Sequence, residues 1–199
     1  ITNCPTPMKN ETKGMLLGLI GVCAFGLTLP ATKVLVEYVN PLFIASGRAV
    51  LAAIVAFAWL CLFGQKRPNT QQFQTLALVS LGVVIGFPFF TSWAIQYVPA
   101  THGGVVIGIL PLATAICGVL IGNERPSFLF WLVAFIGSGL VVLYALLQNS
   151  GSFHLADIAL LAAVISAAAG YALGAKLTKE LGGQQVICWA LVLAFPFVL

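Results

Sequence analysis

The chain has 199 residues, of which 60% are apolar and 7% charged, and its mean hydropathy is +1.06. Soluble domains carry about 25% charged residues, so a water-soluble fold is excluded. A membrane barrel is excluded too, because no polar–apolar alternation of about ten residues is present. An all-α, polytopic helical membrane protein remains, and the net charge of +4 bears on its orientation rather than on nucleic acid.

Residues 1–13 form a polar, proline-containing N-terminal segment. Met8 followed by Lys-Asn-Glu-Thr-Lys reads as a translation start, which would make residues 1–7 upstream sequence. No cleavable signal peptide is expected, because the first apolar run lacks a small-x-small exit and leads straight into further spans. Span 1 is expected over 14–36, with Gly14, Gly18, Gly21, Phe25, Thr28 and Thr32 at spacings of 4, 3, 4, 3 and 4. That rhythm places them on one helical stripe facing protein, and Pro30 should break the helix near its outer end. Thr28 is a candidate for the solute path, unless its hydroxyl and that of Thr32 bond back to a carbonyl one turn earlier.

Span 2 is expected over 42–63, about 33 Å at 1.5 Å per residue and enough for a hydrocarbon core of about 30 Å. Arg48 lies roughly two turns inside it, where a guanidinium must be paired or reach the interface. It is a second candidate contact for the solute. Span 3, over 73–97, ends in Thr91, Ser92, Trp93, Gln96 and Tyr97. Aromatic residues there serve as interfacial anchors, or Trp93 or Gln96 faces a cavity.

Span 4 lies within 101–126, THGGVVIGILPLATAICGVLIGNERP, and is the most informative stretch of the chain. Gly104, Gly108, Pro111, Ala115, Gly118 and Gly122 repeat the 4-3-4-3-4 rhythm, which predicts a helix packed closely along one face and broken at its middle. Pro111 has no N–H, so the carbonyl of Ile107 loses its helical partner and in lipid must find another donor. Ile107, Pro111 and Thr114, one turn beyond, are therefore candidate substrate-binding residues. His102 at the outer end is a candidate proton carrier, and Glu124, in the charged turn that ends the span, is a candidate coupling or gating residue. The plainer alternatives are a structural kink, an interfacial histidine and a locally paired glutamate.

Span 5 is expected over 127–147. Asp157 falls in the first turn of span 6, where the helix dipole favours it. Span 6 runs to about residue 175 with a second small-residue stripe of Ala159, Ala163, Ser166 and Gly170, and Tyr171 near its end is the last substrate-binding candidate. Span 7 begins near Val186, and the chain stops within it. Placing the N-terminus in the cytoplasm puts Lys9, Lys13, Lys66, Arg67, Arg125, Lys176 and Lys179 inside and only Lys33 outside, a strong positive-inside pattern. Localisation in the cytoplasmic membrane, N-terminus inward, is expected.

A shift of 143 residues lays Lys33 and Glu37 of span 1 on Lys176 and Glu180 of span 6. A five-span unit repeated after an odd number of crossings is necessarily inverted, a pattern of secondary transporters. The runs GVCAFGLTLPATKVLVEYVNPLFIASGRAVLAA and AIQYVPATHGGVVIGILPLATAICGVLIGNERPS resemble EamA-type members of the drug/metabolite transporter superfamily. The resemblance implies ten helices in two inverted five-helix repeats around a central cavity, moving metabolites, amino acids or drugs by alternating access. On that reading 14–147 is a complete first repeat and 155–199 a partial second one, truncated in span 7 with three helices lacking.

No Walker motif is present, so ATP is not the direct energy source, and proton or solute antiport follows only from the resemblance. An intramembrane enzyme is disfavoured: Ser138-Gly139 is preceded at 136 by Ile where a G-x-S-G motif needs Gly, and Asp157 is the sole aspartate. The competing function is a non-transporting assembly or accessory protein. The five cysteines (Cys4, Cys23, Cys61, Cys117, Cys188) have neither zinc nor disulfide spacing, and no metal or cofactor is expected. Lipid and a small-molecule substrate are the expected partners, a homodimer stays open, and nucleic acid is not expected.

Overall fold

The structure is a computed structural model and describes residues 8–64, 67–122, 125–148 and 155–199. The described residues form α1 (Met8–Gly26), α2 (Thr28–Val36), α3 (Pro41–Leu62), α4 (Thr70–Val79), a π-helical segment (Ser80–Gly86), α5 (Phe87–Ile95), α6 (Ala100–Ile107), α7 (Leu110–Gly122), α8 (Phe128–Gln148), α9 (Leu155–Leu181) and α10 (Gly183–Val198). Five candidate spans are long and apolar enough to cross a membrane, and the stretches Phe128–Val141 and Gly183–Val198 add two shorter apolar helices. The protein is an all-α polytopic membrane protein, as its composition requires.

Three of the expected spans are interrupted, each on the N-terminal side of a proline. Pro30 removes the amide that would bond the Gly26 carbonyl, and span 1 divides into α1 and α2 at Leu27. Pro88 removes the partner of the Val84 carbonyl, and span 3 is wound as a π helix over Ser80–Gly86, with Phe87 N–H donating to the Gly82 carbonyl five residues back. Pro111 frees the carbonyl of Ile107, and span 4 divides at Gly108–Ile109. The missing N–H and the ring's clash with the preceding turn are the common cause. The break at Pro111 lies where the sequence places it.

The glycine stripe of span 4 does not form one packing face. The break resets the helical phase, so Gly104 meets Leu29 of α2, whereas a Cβ on Gly108 would stand 2.9 Å from Val141 of α8. The face turned to α9 runs instead through Gly103, Ile107, Leu110, Ala113 and Cys117. Span 1 also departs from expectation. Gly14, Gly18 and Gly21 have nothing within 4 Å beyond their own helix; span 1 meets the rest of the protein through Phe25 at the end of α1, stacked on Phe87, and through α2, where Thr32 is buried.

The π segment and α9 approach backbone to backbone. A Cβ on Gly82 would lie 2.6 Å from the Ser166 carbonyl oxygen and 3.3 Å from the Gly170 Cα, and one on Gly86 would strike the Ser166 hydroxyl. Ser166 Oγ donates to the Gly82 carbonyl at 2.9 Å. The small-residue stripe of span 6 thus packs as its spacing predicts. Around this contact α9 buries Ala159, Leu160, Ala163, Val164, Ala167 and Ala168 against α5, α6 and α7. A second core of Ala49, Val79, Val84, Ala190 and Ala194 joins α3, the end of α4, the π segment and α10.

α9 continues to Leu181, past the expected end near 175, because Lys-Leu-Thr-Lys-Glu is helix-compatible and nothing stops it before Gly182. At Gly182 φ is +83°, a conformation that costs glycine nothing, and α10 starts at the next residue. α9 is unbroken where span 1 is bent, since Leu173 occupies the position that corresponds to Pro30 at the 143-residue shift.

Candidate functional site

At one end of the bundle α6 and α9 begin side by side. His102 stands in the first turn of α6 and Asp157 in the first turn of α9. The imidazole Nε2 lies 2.5 Å from Asp157 Oδ1, with side-chain exposures of 18% and 12%. Both residues sit at the positive ends of helix dipoles, which favour the carboxylate. Next to His102, Gly103 of α6 faces Ile95 and Leu160, and these and Ala156 beside Asp157 are buried. A hydrogen bond to an ionised carboxylate in such surroundings is of the stronger, charge-assisted kind.

Lys33 approaches the same end of the bundle from α2. Its Nζ donates to the carbonyl of Ile95 at 3.0 Å and, more distantly, to that of Gln96 at 3.5 Å, closing the C-terminus of α5. A cation at a helix C-terminus complements the dipole. Lys33→Met is expected to lower stability by about 1.5–3 kcal/mol, the worth of a hydrogen bond from a charged group. Lys33→Arg should retain most of it, and thermal unfolding in detergent compares the two.

The other substrate candidates are spread along the bundle. Thr28 Oγ1 donates to the Phe25 carbonyl at 2.6 Å and Thr32 Oγ1 to the Thr28 carbonyl at 2.7 Å, so both hydroxyls take the local option. Trp93 is half-buried against the α5–α9 core, its ring 5.0 Å from that of Tyr97. Ile107 is buried, Pro111 exposed and Thr114 half-buried beside the break. Arg48 is exposed on α3 without an ion pair among the described residues, and Tyr171 is 37% exposed on α9. Glu124 lies outside the described residues.

These candidates do not converge on the larger described cavities, which open between α3 and α10. One of about 520 Å³ is bounded by Asn40, Phe43, Ser46, Ile85, Phe89 and Phe197. Another of about 320 Å³ is almost wholly apolar.

Three polar contacts were not legible as contacts. Asp157 reads only as a helix-start residue, and its partner lies 55 positions away. Ser166 reads as one small residue among others. Gln72 is the third: its side-chain oxygen accepts from the Asn69 amide in a capping box, which turns its amide group outward to donate to Glu180 Oε2 at 2.9 Å. Ser92 Oγ is fully buried with no hydrogen-bond partner among the described residues. Asn69-Thr-Gln-Gln72 carries the capping-box signature, the one signal that could have drawn attention to Gln72.

Interrupted apolar helices, a close-packed α9 and a part-buried His102–Asp157 hydrogen bond at one end of the bundle describe a polytopic membrane protein whose helices break as transporter helices do. Residues 12–146 match the EamA-like transporter family, and the chain belongs to it. It is 46% identical over 192 residues to a Bacillus subtilis (strain 168) protein named "Uncharacterized transporter YdeK", covering 96% of this chain and 67% of that protein. A Synechocystis protein (strain ATCC 27184 / PCC 6803 / Kazusa) named "Uncharacterized transporter sll0355" is 27% identical over 125 residues, 61% of this chain. The chain spans only 37% of that second relative's length. No solved structure matches significantly.

Proposed function

We propose that the protein is a secondary transporter that exports a small metabolite, amino acid or drug-like solute across the cytoplasmic membrane by alternating access. The carrying observation is the break at Gly108–Ile109, where Pro111 leaves the Ile107 carbonyl without its helical donor at mid-span, with Thr114 one turn away. Irregular backbone at membrane depth is tolerated where it is buried in protein or lines a water-filled path. Family membership supports transport in general, and export, solute and drive are our reading. Proton or solute exchange supplies the energy, with His102, paired to Asp157, as the proton-carrying candidate.

The positive-inside pattern supports an inward N-terminus, which puts the His102–Asp157 end outside. Vesicles containing the protein should show saturable flux of at least one member of a panel of amino acids, nucleosides and cationic dyes. The same preparation tests orientation: a cysteine at Thr101 should react with an impermeant maleimide from outside and one at Ser127 from inside. Flux no greater than in empty vesicles across the panel overturns the transport reading.

A further inference from the structure

α9 is held by polar side chains at both ends and is nearly free of them between. Near its start Asp157 meets His102 of α6. Near its end Glu180 accepts from Gln72 of α4, itself fixed by the capping box with Asn69. The 23-position separation of the two carboxylates spans about 35 Å along the helix, slightly more than the hydrocarbon thickness of about 30 Å. The two bonds therefore stand at opposite membrane faces. Between them the buried face of α9 is mostly alanine and glycine, and its larger buried side chains stand toward the two ends, Leu160 and Val164 on the Asp157 side and Leu177 beside Glu180. Among the described residues its one polar contact to a neighbour there is Ser166 on the Gly82 carbonyl, where a Cβ on Gly82 would meet the Ser166 carbonyl oxygen at 2.6 Å.

We infer that His102–Asp157 and Gln72–Glu180 are the two closing contacts of opposite faces of the transport path, with α9 as their shared element. This deepens the transport reading and rests on it. A bond at one end of a helix whose middle buries mostly alanine and glycine resists separation chiefly at that end, while the Ser166–Gly82 contact holds the middle. Release at the Asp157 end parts α9 from α6 and exposes Ala159, now 9% accessible. Release at the Glu180 end parts α9 from α4 and exposes Leu177, now 5% accessible. The inner contact is exposed to water and the outer one largely buried, so the outer one is the stronger of the two.

The test uses single reporter cysteines, Ala159→Cys or Leu177→Cys, in protein whose five native cysteines are replaced by alanine. An impermeant maleimide is applied to right-side-out and inverted membrane vesicles. Asp157→Leu and His102→Leu should each raise labelling of Ala159→Cys about tenfold, the population factor that a charged hydrogen bond carries, and leave Leu177→Cys unchanged or slower. Gln72→Glu keeps the capping box but sets a carboxylate against Glu180, and should raise labelling of Leu177→Cys from the other side only. Asp157→Asn, which retains an acceptor for His102, should keep Ala159→Cys near its starting rate.

Equal increases at both reporters, no change at either, or Asp157→Asn behaving like Asp157→Leu would each overturn the assignment. Labelling requires no solute, so the two readings fail separately. Reciprocal labelling without flux for any solute removes the transport reading alone, and flux with non-reciprocal labelling removes the closing contacts alone.

Discussion

Gly82→Leu should cost the protein its fold. The first side-chain carbon would fall 2.6 Å from the Ser166 carbonyl oxygen and 3.3 Å from the Gly170 Cα. Both obstacles are backbone, which cannot rotate away as a side-chain tip can. α9 would have to withdraw from the π segment, losing the Ser166–Gly82 hydrogen bond and loosening the two cores that flank it. Overpacking costs about 1–3 kcal/mol where side chains can adjust, and this site should exceed that range. Gly137→Leu on α8 is the matched control, because nothing lies within 4 Å of its added carbon. It should stay within about 0.5 kcal/mol of the parent. Thermal unfolding and gel filtration in detergent distinguish them, and equal behaviour of the two variants would refute the role assigned to the contact.

Pro111→Ala should separate stability from transport. Alanine restores an amide able to bond the Ile107 carbonyl, and relieving a proline in a helix interior is worth up to about 3 kcal/mol. Part of that gain is withheld, because His102 on α6 is tied to Asp157 and a straightened span 4 would carry it away. The expected result is a protein as stable as the parent or more so, with flux reduced about tenfold or more, equivalent to about 1.4 kcal/mol on the rate-limiting step. Conformational steps commonly limit such cycles. Undiminished flux in Pro111→Ala would place the solute path elsewhere than the break in span 4.

The spans were legible because crossing lipid demands long apolar helices, and composition alone enforces that demand. The breaks were legible too: a proline removes its own amide whatever surrounds it, and Pro30 and Pro111 each mark an interruption. Local bonding was partly legible. Thr28 and Thr32 satisfy themselves on carbonyls of their own helix, as hydroxyl residues in apolar helices do. Small-residue rhythm was a weaker guide. The same small-residue spacing describes Gly14–Gly18–Gly21, which meet nothing within 4 Å, and Ser166–Gly170, which pack backbone to backbone against Gly82.

Chemistry at the bundle ends was legible only by residue type. His102 stands out as an ionisable group near a membrane boundary, but nothing in its neighbours indicates Asp157, and Gln72 gives no sign of Glu180. Those pairings join residues 55 and 108 positions apart. They exist because α6 and α9 start at the same end of the bundle and α4 starts where α9 finishes.

The sequence by itself determined the class of protein, the family, the rough extent of its apolar helices and the breaks at Pro30 and Pro111, because these follow from the hydrophobicity and backbone chemistry of consecutive residues. Only the tertiary structure decided which glycines touch, which face of span 4 meets α9, and which side chains hold α9 at its two ends. Periodicity says that a helix has faces, but which neighbour a face meets is set by packing among distant helices, and a phase reset at one proline is enough to redirect it.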